Sequence, residues 1–159
     1  MSVRLRPLRE DEYAGFAELS NRGYADDMVA NAGLSREQAE QKAERDFARI
    51  LPDGLETSGH HINVIEAEPD GEPVGRLWYA LEERGGRRIV FLYDIHVESD
   101  RRGQGYGRAA MLELERATAE LGLDRIELNV FGGNHGARRL YTSLGYDEMA
   151  VTMVRTLPG

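Results

Sequence analysis

A glycine- and arginine-rich segment between residues 97 and 108 is the part of this 159-residue sequence best suited to chemistry. Two arginines are followed by three glycines that alternate with other residues, and a helix is predicted to begin directly afterwards. The first amides of a helix have no partner within the helix, and the helix dipole makes them attractive to anions. Glycines let an anion approach the main chain, and consecutive amides in one concavity bind phosphate oxygens. The segment therefore predicts a pyrophosphate site built from Arg102, Gly103, Gly105, Gly107 and Arg108.

Three other interpretations of this segment fit less well. A plain turn needs one glycine rather than three. A P-loop would continue with Gly-Lys-Ser/Thr, which does not follow here. The run from Gly105 to Ala110 matches the G-x-G-x-x-A fingerprint of dinucleotide-binding proteins literally. However, several charged residues separate that run from the preceding strand, and the acidic residue available for a ribose, Glu127, lies inside a strand rather than at its end.

The charge of the chain is unevenly distributed. With 20 basic and 28 acidic residues the formal net charge is −8, so no basic face for a nucleic acid is expected. Residues 1–100 carry 12 basic and 21 acidic side chains, whereas residues 101–159 carry 8 and 7, and those eight bases are all arginine. The pattern indicates an anion site beside an acidic surface that would attract a cationic partner. Codon bias towards arginine would give the same composition, since Lys42 is the one lysine.

Length and composition favour a single domain over residues 1–159. No apolar run approaches the roughly 18 residues of a membrane-spanning helix, and the first residues lack a secretory signal, so no membrane association is expected. The sequence contains no cysteine, which excludes a Cys nucleophile and thiolate metal sites and fits the cytoplasm. The four histidines show no metal-ligand spacing such as H-E-x-x-H, so no metal is expected.

Ten elements are predicted to position the glycine segment, in the order β-α-α-β-β-β-α-β-α-β, which describes a mixed α/β domain with one sheet. The second helix begins at a capping box of Ser35 and Gln38, and the first is predicted to be interrupted near Gly23. Turns at residues 69–71 and 85–86 join the three central strands into an antiparallel meander. The predicted strands are Val3–Arg6, Ile62–Glu68, Pro73–Glu82, Arg88–Val97, Asp124–Phe131 and Tyr146–Leu157, and the predicted helices are Glu10–Asn31, Arg36–Leu51, Arg108–Leu121 and His135–Leu144.

Two blocks of the sequence together resemble a known family. The run Arg102-Gly103-Gln104-Gly105-Tyr106-Gly107 resembles the R/Q-x-x-G-x-G/A signature of the GNAT acetyltransferase superfamily, whose members transfer acetyl from acetyl-CoA to amines. A second block resembles the family pattern N-x-x-A-x-x-L-Y-x-x-x-G-F/Y, with Asn134, Ala137, Leu140-Tyr141 and Leu144-Gly145-Tyr146. The blocks stand in the family's order, and the resemblance is close from Phe91 to Tyr146.

The resemblance implies that acetyl-CoA is the co-substrate and that the main chain from Arg102 to Arg108 holds its pyrophosphate. The strand end from Ile95 to Val97 would bulge and expose amides for the acetyl carbonyl and the pantetheine arm. Asn134 would bind the pantetheine near the thiol, and Tyr141 would lie close to the sulfur. The implied set of binding residues is Ile95, His96, Val97, Arg102, Gly103, Gln104, Gly105, Tyr106, Gly107, Arg108, Asn134 and Tyr141.

Acetyl transfer to an amine needs an oxyanion donor, an acid and a base. The amide of Val97 is the predicted oxyanion donor, and the phenol of Tyr141 is the predicted acid for the leaving thiolate. Family members often carry a carboxylate on the strand that ends at Val97, and Asp94 lies there. In polyamine acetyltransferases a glutamate precedes that aspartate, whereas this chain has Tyr93. Asp94, His96 and a water relay to solvent therefore all stay candidates for the base.

The acceptor is predicted to be a primary amine, a small molecule in preference to a peptide, and a cation because the first two-thirds of the chain are acidic. Asp26-Asp27 resembles the acceptor-binding region of the family in position, and Tyr24 and Trp78 are candidates for that pocket or for the core. Two alternatives are a non-catalytic acyl-CoA-binding domain, favoured by Tyr93, and an acetyltransferase acting on protein N-termini or lysines. The terminal strand lies in a region that often meets a partner subunit in this family, so a homodimer stays open.

Overall fold

A five-stranded sheet with four helices forms the framework of the protein in a computed structural model that describes residues 2–159. The strands are β1 (Val3–Pro7), β2 (His60–Ala67), β3 (Glu72–Arg84), β4 (Arg87–Val97) and β5 (Ile126–Leu128), and the helices are α1 (Tyr13–Ala32), α2 (Arg36–Ile50), α3 (Tyr106–Glu120) and α4 (His135–Ser143). The strands lie in the order β1-β2-β3-β4-β5, and every neighbouring pair is antiparallel except β4 and β5, which are parallel. The predicted mixed α/β fold and the central meander are confirmed.

The larger core lies between the sheet and the helices α3 and α4. Helix α3 buries Ala110, Met111, Leu114 and Thr118, a spacing that places one stripe of the helix on the sheet. Leu77 and Val90 are among the fully buried sheet residues beneath it. Because burying one such side chain is worth about 1.5–3 kcal/mol, this packing fixes α3 against the sheet.

A second, aromatic core lies between the other face of the sheet and the helices α1 and α2. Trp78 is 4% exposed, contacts Phe16 and Phe47 edge-on, and stacks on Tyr93 with the ring centroids 4.8 Å apart. Each such aromatic pair adds about 0.5–1.5 kcal/mol beyond the area it buries. Trp78 is therefore a core residue, which is one of the two roles, core or acceptor pocket, that the sequence left open for it.

Helix α1 differs from the prediction because it runs without a break through Gly23. A helical glycine costs about 1 kcal/mol relative to alanine, but the burial of Ala25 and Met28 just beyond it offsets that cost. The capping box of α2 is confirmed: the hydroxyl of Ser35 accepts from the amide of Gln38, and the side chain of Gln38 accepts from the amide of Ser35. Among residues 2–159 no helix is both long and apolar enough to cross a bilayer.

The end of the chain departs most from the prediction. The strand predicted over Asp124–Phe131 is confined to Ile126–Leu128, and the strand predicted over Tyr146–Leu157 is not formed, since residues 144–159 contain no helix or strand. A strand requires a hydrogen-bonded neighbour, and no described strand pairs with β5 on the side away from β4. The element order is thus as predicted up to α4, and its last strand is missing.

Candidate active site

The candidate site is an opening between β4 and β5. The two strands are paired from Val90 with Ile126 to Leu92 with Leu128, and β5 then ends while β4 continues to Val97. Residues 93–97 of β4 consequently have a sheet neighbour on the β3 side only. Backbone groups on the other side of β4 face the opening, where they are available to a ligand.

A β-bulge shapes the β4 side of this opening. Trp78 of β3 lies opposite Asp94 and Tyr79 lies opposite Leu92, so Tyr93 is the extra residue. The bulge thus lies before the predicted stretch from Ile95 to Val97, which pairs regularly with β3. A bulge re-aims the side chains next to it. Here Tyr93 packs into the aromatic core under α1 and α2, while the side chains of Ile95 and Val97 pack on the opposite core.

The amide of Val97 points into the opening. The next amide, that of Glu98, donates to the carbonyl oxygen of Val74 on β3 at 2.8 Å. Because successive amides alternate sides along a strand, the Val97 amide faces away from β3. The carbonyl oxygen of Val97 accepts from Nε of Arg102 at 2.9 Å, which fixes the glycine segment against the end of β4.

The backbone amides from Arg102 to Arg108 donate to no protein acceptor among residues 2–159. Gly103 and Gly105 adopt φ of 75° and 90°, a left-handed conformation that side-chain-bearing residues rarely take. Gly105 is the N-cap of α3 and has no side chain to satisfy the first turn, which begins at Tyr106 rather than at the predicted Arg108. The segment therefore presents a row of free donors at a helix N-terminus, an arrangement suited to an anion.

Helix α4 lies beside this row of amides. A Cβ placed on Gly107 would contact Leu140 of α4 at 3.5 Å and Val97 at 3.8 Å, so the segment, α4 and the end of β4 meet there. Arg108 donates to the hydroxyl of Ser143 at 3.0 Å. Beyond it, α4 lines an open cavity of about 410 Å³ with His135, Arg138, Arg139, Thr142 and Ser143.

Sequence reasoning missed this basic face of α4. The available signal was the helical spacing of His135 and Arg139, four residues apart and therefore on one side of the predicted helix. Arg138 is partly engaged, since it donates to the carbonyl oxygen of Gly132 and pairs with Glu148.

Tyr141 lies on α4 with 8% of its surface exposed. Its hydroxyl makes no hydrogen bond to residues 2–159, and its ring centroid is 5.8 Å from that of Tyr146. Burial, with a smaller contribution from the carboxylate of Asp94, raises the pKa of Tyr141 to about 12. The phenol is therefore fully protonated at neutral pH and can act as a proton donor.

Asp94 and His96 lie two residues apart on β4, and Asp94 pairs with Arg76 of β3. The carboxylate of Asp94 accepts from Nε of Arg76 at 2.7 Å, and the two side chains are 23% and 12% exposed. Burial, followed by the positive charge of Arg76, lowers the pKa of His96 below its ordinary value. His96 is therefore neutral at pH 7 and can accept a proton, whereas Asp94 is already held by Arg76.

Helix α1 packs on the aromatic core of the sheet and carries the acidic pair. Asp26 forms a 2.7 Å ion pair with Arg36, whereas the carboxylate of Asp27 makes no hydrogen bond or ion pair with residues 2–159. Burial, and then the charges of Asp26 and Asp94, raise the pKa of Asp27. The carboxylate of Asp27 is thus a half-buried acid without a protein partner among the described residues.

Two further contacts tie α1 to the loop that precedes α4. Oδ1 of Asn31 accepts from the amide of Gly133 at 2.9 Å, and the ring of Tyr24 packs on Phe131 with centroids 6.4 Å apart. The next residue, Asn134, caps α4 because its Oδ1 accepts from the amide of Ala137. The side-chain nitrogen of Asn134 is thereby left as a free donor at the opening.

The predicted site residues lie on three neighbouring parts of the fold: the end of β4, the glycine segment with the start of α3, and α4 with its cap. Among them, Tyr106 is buried in the larger core and Ile95 packs against that core. The residues on these three parts are Asp94, Ile95, His96, Val97, Arg102, Gly103, Gln104, Gly105, Tyr106, Gly107, Arg108, Asn134 and Tyr141.

The parallel pair of strands that separates beside a glycine-lined helix N-terminus defines a class, the acyl-CoA-dependent N-acyltransferases. Residues 33–146 match the model of the Acetyltransferase (GNAT) family. The chain belongs to this family and is a GNAT acetyltransferase, which confirms the predicted resemblance. The family uses acetyl-CoA as its co-substrate.

Relatives of the chain support the same assignment. The uncharacterized N-acetyltransferase YycN of Bacillus subtilis is 30% identical over 157 residues, which are 99% of this chain and 100% of that protein. The crystal structure of YycN superposes with a TM-score of 0.93 at 29% identity, covering 99% of this chain and 100% of that chain. The thialysine N-epsilon-acetyltransferase of Bos taurus is 29% identical over 129 residues, which are 73% of this chain and 76% of that protein.

Proposed function

We propose that the protein transfers acetyl from acetyl-CoA to a primary amine by direct attack within a ternary complex. The observation that carries the proposal is the row of free amides from Arg102 to Arg108, with the Val97 amide and Tyr141 beside it. A covalent acetyl-enzyme is not part of the proposal, because the chain has no cysteine and no serine with an activating base.

The glycine segment is proposed to bind the diphosphate of coenzyme A. Free backbone donors and the helix dipole both favour that dianion, and Arg102 and Arg108 add full positive charge nearby. The basic face of α4 extends the same surface away from the opening, towards His135 and Arg139. On the other side, Asn134 and the β4 amides are proposed to hold the pantetheine arm, which brings the thioester beside Tyr141.

The chemical step forms one bond and breaks another. The neutral amine forms a C–N bond to the thioester carbonyl, and the amide of Val97 stabilises the resulting oxyanion, a contribution of about 2.7–4 kcal/mol for one such donor. Collapse breaks the C–S bond, and the Tyr141 hydroxyl gives its proton to the departing sulfur. The amine proton leaves through the base, and Tyr141 regains a proton from solvent.

His96 is proposed as the base. Its imidazole is neutral at pH 7 because burial and Arg76 lower its pKa, whereas the ion pair with Arg76 occupies Asp94. Asp94 is therefore proposed to position Arg76 and the acceptor, and to keep Tyr141 protonated through its negative charge. A water chain from the amine to His96 completes the path of the proton.

The acceptor is proposed to be a small cationic amine. Asp27 supports this because it is a half-buried carboxylate without a protein partner among the described residues. An ammonium group elsewhere on the acceptor would pair with this carboxylate and orient the reacting amine. The names of two relatives also refer to small molecules as acceptors: thialysine N-epsilon-acetyltransferase of Bos taurus and L-amino acid N-acetyltransferase AaaT of Escherichia coli.

The tyrosine at position 93 is not an argument for a non-catalytic protein, because its packing explains it. Its ring completes the aromatic core against Trp78, and its hydroxyl donates to Glu82. Packing thus explains why a tyrosine stands where polyamine acetyltransferases have glutamate.

An acceptor screen at fixed acetyl-CoA tests the proposal, with release of free thiol as the readout. Diamines and basic amino acids are expected to support turnover better than uncharged amines and N-terminal peptides. Thiol release only with peptides would assign the protein to the peptide-modifying acetyltransferases. Tight binding of acetyl-CoA without turnover on any acceptor would show a binding domain instead.

A further inference from the structure

We infer that Asn31 of α1 is a positioning residue for the proposed acetyl transfer, because it fixes the loop that precedes α4 and, through that loop, Asn134 and Tyr141. The inference rests on the proposed function, which gives Asn134 and Tyr141 their roles beside the thioester. Asn31 takes no part in the chemistry itself. It acts through the hydrogen bond that its side chain makes with the backbone of Gly133, the Asn31–Gly133 contact.

Both polar ends of the Asn31 side chain are occupied. Its Oδ1 accepts from the amide of Gly133 at 2.9 Å, and its Nδ2 donates to the carbonyl oxygen of Asp27, one turn earlier in α1, at 2.9 Å. A side-chain amide has one accepting and one donating end, and these two partners require opposite ends, so the orientation of the group is fixed. Asparagine is a poor helix former, and these two contacts give it a role in the last turn of α1.

Gly133 fits closely around this oxygen. A Cβ placed on Gly133 would lie 2.6 Å from Oδ1 of Asn31, whereas a Cβ on the adjacent Gly132 would meet nothing within 4 Å. Neither of the two glycines has a positive φ, so the close approach of Asn31 is what requires a glycine at position 133. Because the Asn31 side chain is held at both ends, an alanine at position 133 would fit only if one of its two hydrogen bonds broke.

The loop transmits its position to α4 because its hydrogen bonds continue into the helix cap. The amide of Asn134 donates to the carbonyl oxygen of Phe131, and the amide of His135 donates to that of Gly133, each at 3.0 Å. The side chain of Asn134 then caps α4 by accepting from the amide of Ala137 at 3.2 Å. A displacement of Gly133 therefore displaces both Asn134 and the first turn of α4.

Helix α4 is short enough for its cap to set the place of Tyr141. It has nine residues, and Tyr141 lies about two turns after the cap. The ring of Tyr141 is buried in the larger core, so the phenol moves with the helix. A reacting group that is misplaced by about 1 Å can cost about a hundredfold in rate, even when the cause lies far from the chemistry.

Apolar contacts surround the Asn31–Gly133 contact and leave the fixing of one register to it. Phe131 packs on the cluster that Ala25 and Met28 form with α2. Apolar packing has no preferred direction and permits α1 to slide over the loop, whereas a hydrogen bond requires one alignment. The Asn31–Gly133 contact therefore fixes how the helix that carries Asp27 meets the loop that carries Asn134.

A double-mutant cycle in kcat tests the inference, with the amine that gives the fastest turnover in the acceptor screen. Asn31→Ala and Gly133→Ala are each expected to lower kcat by about tenfold, since either change breaks the same contact. The double variant is expected to lose the same tenfold, whereas two independent effects would multiply to about a hundredfold. The affinity for coenzyme A, measured by calorimetry, is expected to change by less than about twofold, because the proposed diphosphate site lies on another element.

Two control variants separate positioning from a general loss of stability. Gly132→Ala, at the neighbouring glycine where an added Cβ meets nothing, is expected to keep kcat. Ser35→Ala removes the hydroxyl that caps α2 and is expected to lower Tm at least as much as Asn31→Ala does, while kcat stays the same.

Amide hydrogen exchange measures the effect on the cap without turnover. In Asn31→Ala the amides of Gly133 and Ala137 are both expected to exchange faster, because loss of the first hydrogen bond loosens the cap that protects the second. Unchanged exchange at Ala137, an unchanged kcat in Asn31→Ala, or losses that multiply in the double variant would each overturn the inference. If the natural protein acetylates no amine, the proposed function fails, and exchange at Ala137 still tests whether Asn31 holds the cap.

Discussion

The two sides of the candidate active-site opening present different kinds of group: backbone amides on one side and side chains on the other. On the proposed donor side, the row of amides from Arg102 to Arg108 is main chain, held in place by two left-handed glycines and the packing of α3. On the proposed acceptor side, the groups are side chains: Asp27 from α1, with Asp94 and His96 from β4.

The difference teaches which parts of the molecule can change independently. Backbone donors recognise phosphate whatever the neighbouring side chains are, so one loop can serve a fixed co-substrate. Side chains on α1 and β4 can be exchanged without disturbing that loop, so acceptor specificity can vary on the same fold. Substitutions should therefore separate donor affinity from acceptor affinity.

The largest effect is expected where the two sides meet, at Tyr141. Tyr141→Phe keeps the packed ring and removes the proton donor, so kcat should fall by about a hundredfold or more while the affinity for acetyl-CoA stays the same. Steady-state kinetics and calorimetry give the two values. Tyr146→Phe, which removes a neighbouring buried hydroxyl, is the control and should leave kcat unchanged. An unaltered kcat in Tyr141→Phe would remove this phenol from the mechanism.

The next effect concerns the donor side alone. In Gly105→Ala a side chain must adopt φ near 90°, at a cost of about 1–2 kcal/mol, or the loop must shift its amides. Coenzyme A is expected to bind about tenfold more weakly, with the acceptor KM unchanged at saturating donor.

Gly122→Ala provides the matched control for Gly105→Ala. Gly122 adopts φ of 76° at the far end of α3, and an added Cβ there meets nothing within 4 Å. The two variants should lose similar stability in thermal unfolding, and only Gly105→Ala should lose affinity. Equal coenzyme A affinity in both would show that the glycine serves folding alone.

A smaller effect is expected on the acceptor side. Asp27→Asn removes the one carboxylate of the acidic pair that lacks a protein partner, so the KM of a cationic acceptor should rise by about three- to tenfold with donor affinity unchanged. Asp26→Asn breaks only the ion pair with Arg36 and should leave KM near its original value. A KM that rises equally for charged and uncharged amines would argue against an ammonium site.

The smallest effect is expected in the pH profile. Since the pKa of Tyr141 is raised to about 12, the phenol keeps its proton between pH 8 and 10, and the acid is present throughout that range. With saturating acceptor, kcat should therefore change by less than about twofold across it. A loss of kcat centred near pH 9 that disappears in Tyr141→Phe would show that the phenol titrates in its ordinary range or below.

The same division explains what the sequence could predict. The glycine segment, the meander and the α2 cap depend on neighbouring residues and turn chemistry, so they could be predicted, although α3 begins two residues early. The acceptor side depends on contacts between distant parts of the chain, such as Asn31 with Gly133, and local patterns do not contain these. A break in α1 was predicted at Gly23 because glycine has a poor helix propensity. The helix continues through Gly23 because its neighbours Ala25 and Met28 are buried.

Residues 147–157 are the opposite case, because their local pattern predicts a strand that the structure does not form. Alternation from Met149 to Met153 predicts a strand, and pairing decides whether one forms. The prediction that the bulge lies at residues 95–97 was wrong for a related reason. The bulge lies at Tyr93 because the register between β3 and β4 is set by the whole meander rather than by residues 95–97.

The central claim is that the amides from Arg102 to Arg108 bind the diphosphate of coenzyme A. Titration of the ¹⁵N-labelled protein with coenzyme A, followed by amide NMR, tests it most directly. The claim predicts that these amides shift and gain protection from exchange in step with binding, and that pantetheine, which lacks the diphosphate, leaves them unmoved. Saturable binding of coenzyme A with these seven amides unaffected, and shifts confined to another surface, would contradict it.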